Sequence, residues 1–288
     1  MLFRSGEAFA RGEPEVVAPF TAELPDLEFA ARTDVGKQRE HNEDQYIIAH
    51  LGRWVGIEAT TVGAPRELTS PQGTLLIVAD GMGGHGDGEV ASAVTLDSFV
   101  EHSLLEMPWL GSGTTAGDAL LSADVERFAI DCQARLVDVA ARKHLARNLG
   151  TTLTVAYLTG SRLILVHIGD SRAYLQRGRI LTRLTHDHTL AETLGPTADG
   201  APSPFAHVLV NAIGGDRERP KPELSATTLA RGDRVLLCTD GLYGPVDDAR
   251  IAELLASAAT AQAAVDALVA EALAKGAPDN VTAVVAFG

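Results

Sequence analysis

Three runs of buried-strand character stand next to an acid. Leu76-Ile77-Val78-Ala79 leads into Asp80-Gly81, and Val235-Leu236-Leu237-Cys238-Thr239 leads into Asp240-Gly241. A third run, Val281–Phe287, follows Asp279-Asn280. A carboxylate at the end of a buried strand is held rigidly, and a following glycine lets the backbone approach a ligand closely. Acids gathered in a cleft raise one another's pKa unless positive charge sits between them. Hard divalent cations with oxygen ligands meet that need. A lone Asp-Gly is an ordinary turn. Two at strand ends, together with Asp279-Asn280, point to a metal centre.

A second segment carries complementary chemistry. Thr33-Asp34-Val35-Gly36-Lys37-Gln38-Arg39-Glu40-His41-Asn42-Glu43-Asp44 sets Arg39 four residues before an adjacent acid pair. The planar fork of arginine suits phosphate oxygens, and the acids suit a metal. A solvated charge run is the plain alternative. His186-Asp187-His188 has metal-ligand residue types but reads as a loop anchor. Cys132 and Cys238 have no partner at zinc-like spacing and read as small buried hydrophobes in a reducing compartment.

The elements that position these residues follow from periodicity. Leu27–Thr33, Gln45–Ala49 and Thr74–Ala79 read as strands, with an irregular Gly-, Pro- and Thr-rich connection over 50–73. Val90, Ala93, Leu96, Val100 and Leu104 give one apolar helix face; Leu121, Val125, Phe128, Cys132, Leu136 and Val139 give a second. Thr152–Leu158, Leu163–Ile168 and Ala173–Gln176 are separated by Gly160 and by Gly169-Asp170-Ser171-Arg172, which predicts hairpins. Residues 186–220 are the least regular; 246–275 are helical. Strands, then helices, then strands argue for an α+β layered domain over 27–288, after a loosely ordered lead-in at 1–26.

Five motifs in order carry a resemblance. They are Thr-Asp-x-Gly-x-x-Arg-x-x-Asn-Glu-Asp (33–44), Ala-Asp-Gly-Met-Gly-Gly-His (79–85), Leu-Gly-Thr-Thr (149–152), Gly-Asp-Ser-Arg-Ala (169–173), and Thr-Asp-Gly-Leu (239–242) with Asp279-Asn280-Val281-Thr282. Together they resemble the metal-dependent serine/threonine protein phosphatases of type 2C, in their bacterial branch. The resemblance implies a central antiparallel β-sandwich flanked by helices on both sides, in four α-β-β-α layers. It implies two Mn2+ or Mg2+ ions, with the Asp80 carboxylate bridging them and Gly81 contributing its carbonyl. Asp240 and Asp279 complete one ion, Glu43 serves the other, and Asp44 orients waters from behind. Arg39 is the phosphate clamp, and the nucleophile is a water activated between the ions, with no phosphoenzyme. Gly169–Arg172 is read as a supporting turn, and 186–220 as a flap where substrate choice lies.

Two departures stand out. Some members carry a His two residues after the bridging Asp; here it is Met82, which leaves His85 or a water as the acid. Many members hold a third cation through acids at positions that are here Arg147 and Gly244, so a third site is doubtful. Asp247 or Asp248 is the available substitute.

The formal net charge is −14, which argues against nucleic acid and anionic membranes as partners. No apolar run approaches the roughly 18 residues of a membrane helix. The reading is of a cytoplasmic monomer that acts on phosphorylated proteins and opposes a serine/threonine kinase. The alternatives are a non-catalytic, metal-binding relative that recognises a phosphoprotein, and a small-molecule phosphatase.

Overall fold

Unbroken Val, Ile and Leu runs bury both faces of a strand, while three-and-four spacing buries one face of a helix. Both patterns appear in the computed structural model, which describes residues 27–57, 66–83, 87–105, 115–146, 148–195, 197, 203–215 and 219–288. The 1–26 lead-in, His85 and Arg147 lie outside the described residues. In chain order the elements are β1 (Glu28–Asp34), β2 (Asp44–Ile57), β3 (Arg66–Met82), α1 (Asp87–Leu105), α2 (Thr115–Lys143), β4 (Gly150–Thr151), β5 (Leu153–Thr159), β6 (Arg162–Ile168), β7 (Arg172–Arg177), β8 (Ile180–Arg183), α3 (Leu190–Leu194), β9 (Ile213–Gly214), β10 (Glu223–Thr228), β11 (Arg234–Cys238), α4 (Asp240–Tyr243), α5 (Asp248–Ser257), α6 (Ala261–Ala274) and β12 (Val281–Phe287).

Two antiparallel sheets result. One has the order β1-β12-β11-β7-β8; the other runs β10-β6-β5-β3-β4-β9, with β2 beside β3. Successive residues of β3 face opposite ways, as the strand period of two requires. Leu75 and Ile77 pack with Phe99, Phe128 and Leu136 beneath α1 and α2. Leu76 and Val78 pack with Leu165, Val235, Leu237 and Val284 between the sheets. Beyond the other sheet, Leu236 and Val285 meet Leu255, Val265 and Leu268 of α5 and α6. The four-layer α-β-β-α sandwich expected from the sequence is the architecture observed.

Two expectations are corrected. Where it is described, at 50–57 and 66–73, the span is not an irregular connection: β2 and β3 pair as far as Ile57 and Arg66, and 58–65 lie outside the described residues. Three of its breakers, Gly52, Pro71 and Gly73, meet at one irregularity, where the register shifts between Leu51 and Gly52 and Gly52 sits opposite Pro71. Proline is tolerated there because β3 pairs with β5 only over Thr74–Val78, so the Pro71 stretch has a free side. The second correction concerns Gly169-Asp170-Ser171-Arg172. β5 and β6 do form a hairpin. β7, however, pairs with β11 and β8, so this turn carries the chain from one sheet to the other.

Candidate metal centre and its cleft

The strand-end acids meet where the two sheets come together. A cleft of about 940 Å3 is lined by Arg39, Glu43, Asp80, Gly81, Asp240 and Asp279. Asp80 is fixed through its backbone: its N–H donates to Thr152 Oγ1 (2.9 Å), and its carbonyl accepts from the Thr152 N–H (2.9 Å) and Thr151 Oγ1 (2.9 Å). Its carboxylate is left to the cleft. Gly81 must be glycine, because a Cβ there would lie 2.1 Å from the Gly88 carbonyl oxygen.

Asp44 stands directly opposite Asp80 across the β2–β3 pair. Like charges so placed repel. Asp44 is only 3% exposed. Its Oδ2 accepts from Thr239 Oγ1 (2.8 Å) and Thr282 Oγ1 (2.7 Å), while its Oδ1 has no partner. Burial is the main cause that pushes its pKa up to about 7, with Asp240 and Asp279 adding to it. Burial and then the charge of Asp44 push Asp80 well above the carboxylate range. Glu43, raised by burial, is held between the β2 approach and α1: its N–H donates to Asn280 Oδ1 (2.8 Å) and its carbonyl accepts from Ser92 Oγ (2.7 Å).

The opposite wall comes from the other sheet. Asp240 opens α4, and its Oδ1 is buried without a partner. Gly241 beside it would place a Cβ 1.9 Å from the Asn280 carbonyl oxygen. Asp279 Oδ2 accepts from Arg39 Nη2 at 2.6 Å, so the expected phosphate clamp is paired with an expected metal ligand. Asn280 ties these pieces together. Its amide donates to the Val35 and His41 carbonyls (2.9 Å each), bracketing the loop that carries Arg39.

The residues fit a pair of hard cations. The donors are oxygens throughout, and two buried carboxylate oxygens, on Asp44 and Asp240, lack any hydrogen-bond partner. Among the described residues, no three His, Cys, Asp or Glu side chains close on one point as a complete cage would. The acids line the walls of an open cleft instead, which leaves room for waters and a substrate.

Every candidate named from sequence except His85 and Arg147 is placed. Arg39, Glu43, Asp80, Gly81, Asp240 and Asp279 line the cleft, and Asp44 lies behind it. Gly244 lines it without a side chain to offer. The proposed substitutes for a third-site ligand are engaged elsewhere: Asp247 caps α5 through the Arg250 N–H (2.8 Å), and Asp248 accepts from the Tyr174 hydroxyl (2.9 Å). Asp187 anchors the flap, taking two hydrogen bonds from Arg172 at 3.0 and 2.6 Å.

Sequence reasoning missed two residues. Asp170 lines the cleft at 6% exposure, its pKa pushed to about 7 by burial and by Asp240. It follows the buried strand β6, so the strand-end rule that found Asp80 applied here too. His207, in the flap, lies 3.8 Å from Asp240 through Nδ1, and Asp240 holds its pKa up. No spacing in the sequence pointed to it.

A profile of the family described as Protein phosphatase 2C matches residues 67–276. The serine/threonine protein phosphatase PstP of Mycobacterium tuberculosis is 36% identical over 268 residues, which is 90% of this chain and 45% of PstP. The chain thus spans less than half the length of that relative. The serine/threonine phosphatase Stp of Listeria innocua is 30% identical over 261 residues, 87% of this chain and 92% of Stp. A crystal structure of the PstP catalytic domain in complex with two manganese ions matches at a TM-score of 0.67 and 36% identity, covering 91% of this chain and 97% of that one. By profile, by relatives and by architecture, this chain belongs to the protein phosphatase 2C family.

Proposed function

We propose that this chain hydrolyses phosphoserine and phosphothreonine in proteins, with two divalent cations, Mn2+ or Mg2+, held in the cleft. The observation that carries the reading is the pair of unpartnered buried oxygens, Asp44 Oδ1 and Asp240 Oδ1, in an acid-lined cleft that also holds Arg39. Asp80, opposite Asp44 in the strand pair, would hold both ions, with the Gly81 carbonyl beside it. Asp240 and Asp279 would hold one ion and Glu43 the other, with Asp44 supporting them from behind. Bound there, the cations supply Lewis acidity and an activated water for attack on phosphorus. Arg39 takes the phosphoryl oxygens, turning its fork from Asp279 to the substrate. Thr239 and Thr282 hold Asp44 Oδ2, so that Oδ1 is the oxygen it presents.

The relatives named serine/threonine phosphatases support protein substrates, and the PstP complex supports manganese. The finer reading is a cytoplasmic monomer that reverses a serine/threonine kinase. No helix among the described residues is long and apolar enough to cross a membrane. The test is hydrolysis of phosphoserine and phosphothreonine peptides and of a chromogenic phosphate ester, with Mn2+ and with chelator. Turnover must require the ion and must favour phosphopeptides over sugar phosphates. Asp80→Ala abolishes it; wild-type turnover in that variant refutes the metal assignment.

A further inference from the structure

Arg39 is one part of the cleft lining that could hold a phosphoryl group. The flap segment 203–211 supplies another. Its backbone is tied to the 188–190 segment immediately after His207: the Leu190 N–H donates to the Val208 carbonyl (2.7 Å), the Val210 N–H to the His188 carbonyl (2.8 Å), and Leu209 bridges Thr189. The Val208 N–H closes a turn onto the Phe205 carbonyl (3.1 Å). The His207 backbone is therefore fixed at the cleft mouth while its ring, 83% exposed, lines the cleft. Nδ1 points toward Asp240, and Nε2 has no partner among the described residues.

The cleft lining includes five acids, Glu43, Asp80, Asp170, Asp240 and Asp279. A phosphate dianion entering it meets repulsion wherever cations do not intervene. Among the described residues, the side chains with nitrogen donors that line the cleft are Arg39, His207 and Lys275, and Lys275 lies 3.9 Å from Glu271. An imidazole N–H donated to a charged phosphoryl oxygen is a strong hydrogen bond.

We infer that His207 is a second phosphoryl contact, donating from the flap through Nε2 while Arg39 binds from its place beside Asp279. The inference rests on the phosphatase reading for its substrate, but its geometry concerns phosphate binding alone. His207 thereby makes the flap part of the binding site for the reacting group, in addition to any role in choosing the surrounding protein.

The experiment measures inorganic phosphate binding to the full chain in Mn2+ by calorimetry, for wild type, His207→Ala, His207→Asn and His207→Gln. Mn2+ affinity, thermal melting, and KM and kcat on a phosphopeptide are measured on the same samples. His207→Ala weakens phosphate binding and raises KM by about tenfold or more. His207→Gln, whose amide nitrogen reaches the Nε2 position, restores most of the loss, and His207→Asn does not. Mn2+ affinity and melting stay at wild-type values. Unchanged phosphate affinity in His207→Ala overturns the proposal. So does a parallel loss of Mn2+ affinity, which would place the imidazole on the ions. Phosphate binding that depends on His207 without any wild-type turnover leaves this inference standing and removes the phosphatase reading.

Discussion

Asp44 and Asp80 face each other across one strand pair, and each raises the cost of charging the other. Without cations, the folded protein holds protons that the unfolded chain releases near pH 4. The native pKa values of Asp44 and Asp170 lie near 7, and that of Asp80 is raised well beyond the carboxylate range. Carboxyls raised in the folded state lower stability as pH rises toward and through their native pKa values. Two imidazoles, His167 in the core and the half-buried His188, are depressed by burial and oppose this slope only below their ordinary value of about 6.5. Chelator-treated protein should therefore melt at a lower temperature at pH 8 than at pH 6.5, and saturating Mn2+ should flatten the difference. A metal-free melting point that rises over that interval contradicts the arrangement. Arg39 makes a separate prediction. Its replacement by Ala should raise KM for a phosphopeptide by about tenfold with a smaller change in kcat, since a charge-assisted pair to phosphate is removed. An unchanged KM removes the clamp role.

At the scale of elements, the site depends on glycines where backbones touch. Gly241→Ala would push a methyl into the Asn280 carbonyl, displacing either α4 and Asp240 or the Asp279 approach to β12. We expect a loss of about 1–3 kcal/mol in stability from the forced contact. The Mn2+-dependent rate should drop by roughly 100-fold, because angstrom-scale misplacement of catalytic groups is that costly. Melting curves and initial rates check both. The same scale shows what the sequence made legible. Asp80, Asp240 and Asp279 were readable because a buried apolar run next to an acid is a local pattern. Asp170 obeys that pattern after β6, but its four-residue gap also reads as a turn back to a strand paired with β6. Pairing partners are a long-range choice, and a four-residue gap does not decide whether a chain turns back or crosses to another layer. The β2–β3 hairpin was missed for a related reason: Gly52 and Pro71 read as breakers one at a time, whereas opposite each other they share one bulge.

At the scale of the molecule, the cleft joins the two sheets. β2 and β3 bring Asp44 and Asp80 from one; β11 and β12 bring Asp240 and Asp279 from the other. Ions bound between them favour the assembled sandwich over the unfolded chain. At a hundredfold excess over Kd, one ion adds about 2.7 kcal/mol. Manganese should therefore raise Tm by about 5 °C or more in a single transition. A shift of that size that survives Asp80→Ala would place the stabilising ions elsewhere. His207 was illegible at this scale for a plain reason. The flap is tied beside the cleft by backbone contacts between 188–190 and 208–210, and nothing periodic announces that.

The pairing of β1 with β12 reaches further than the cleft. Glu28 lies beside Phe287 and Asp34 beside Val281, so the first described strand waits for the last. During synthesis, Arg39, Glu43 and Asp44 emerge early, yet the loop that aims them is bracketed by Asn280. A nascent chain that has not released β12 holds every upstream acid and no assembled centre. Such long sequence separation slows folding. It also makes the centre all-or-none along the chain: a product clipped before β12 should lack the assembled metal cleft, however many of the acids it retains.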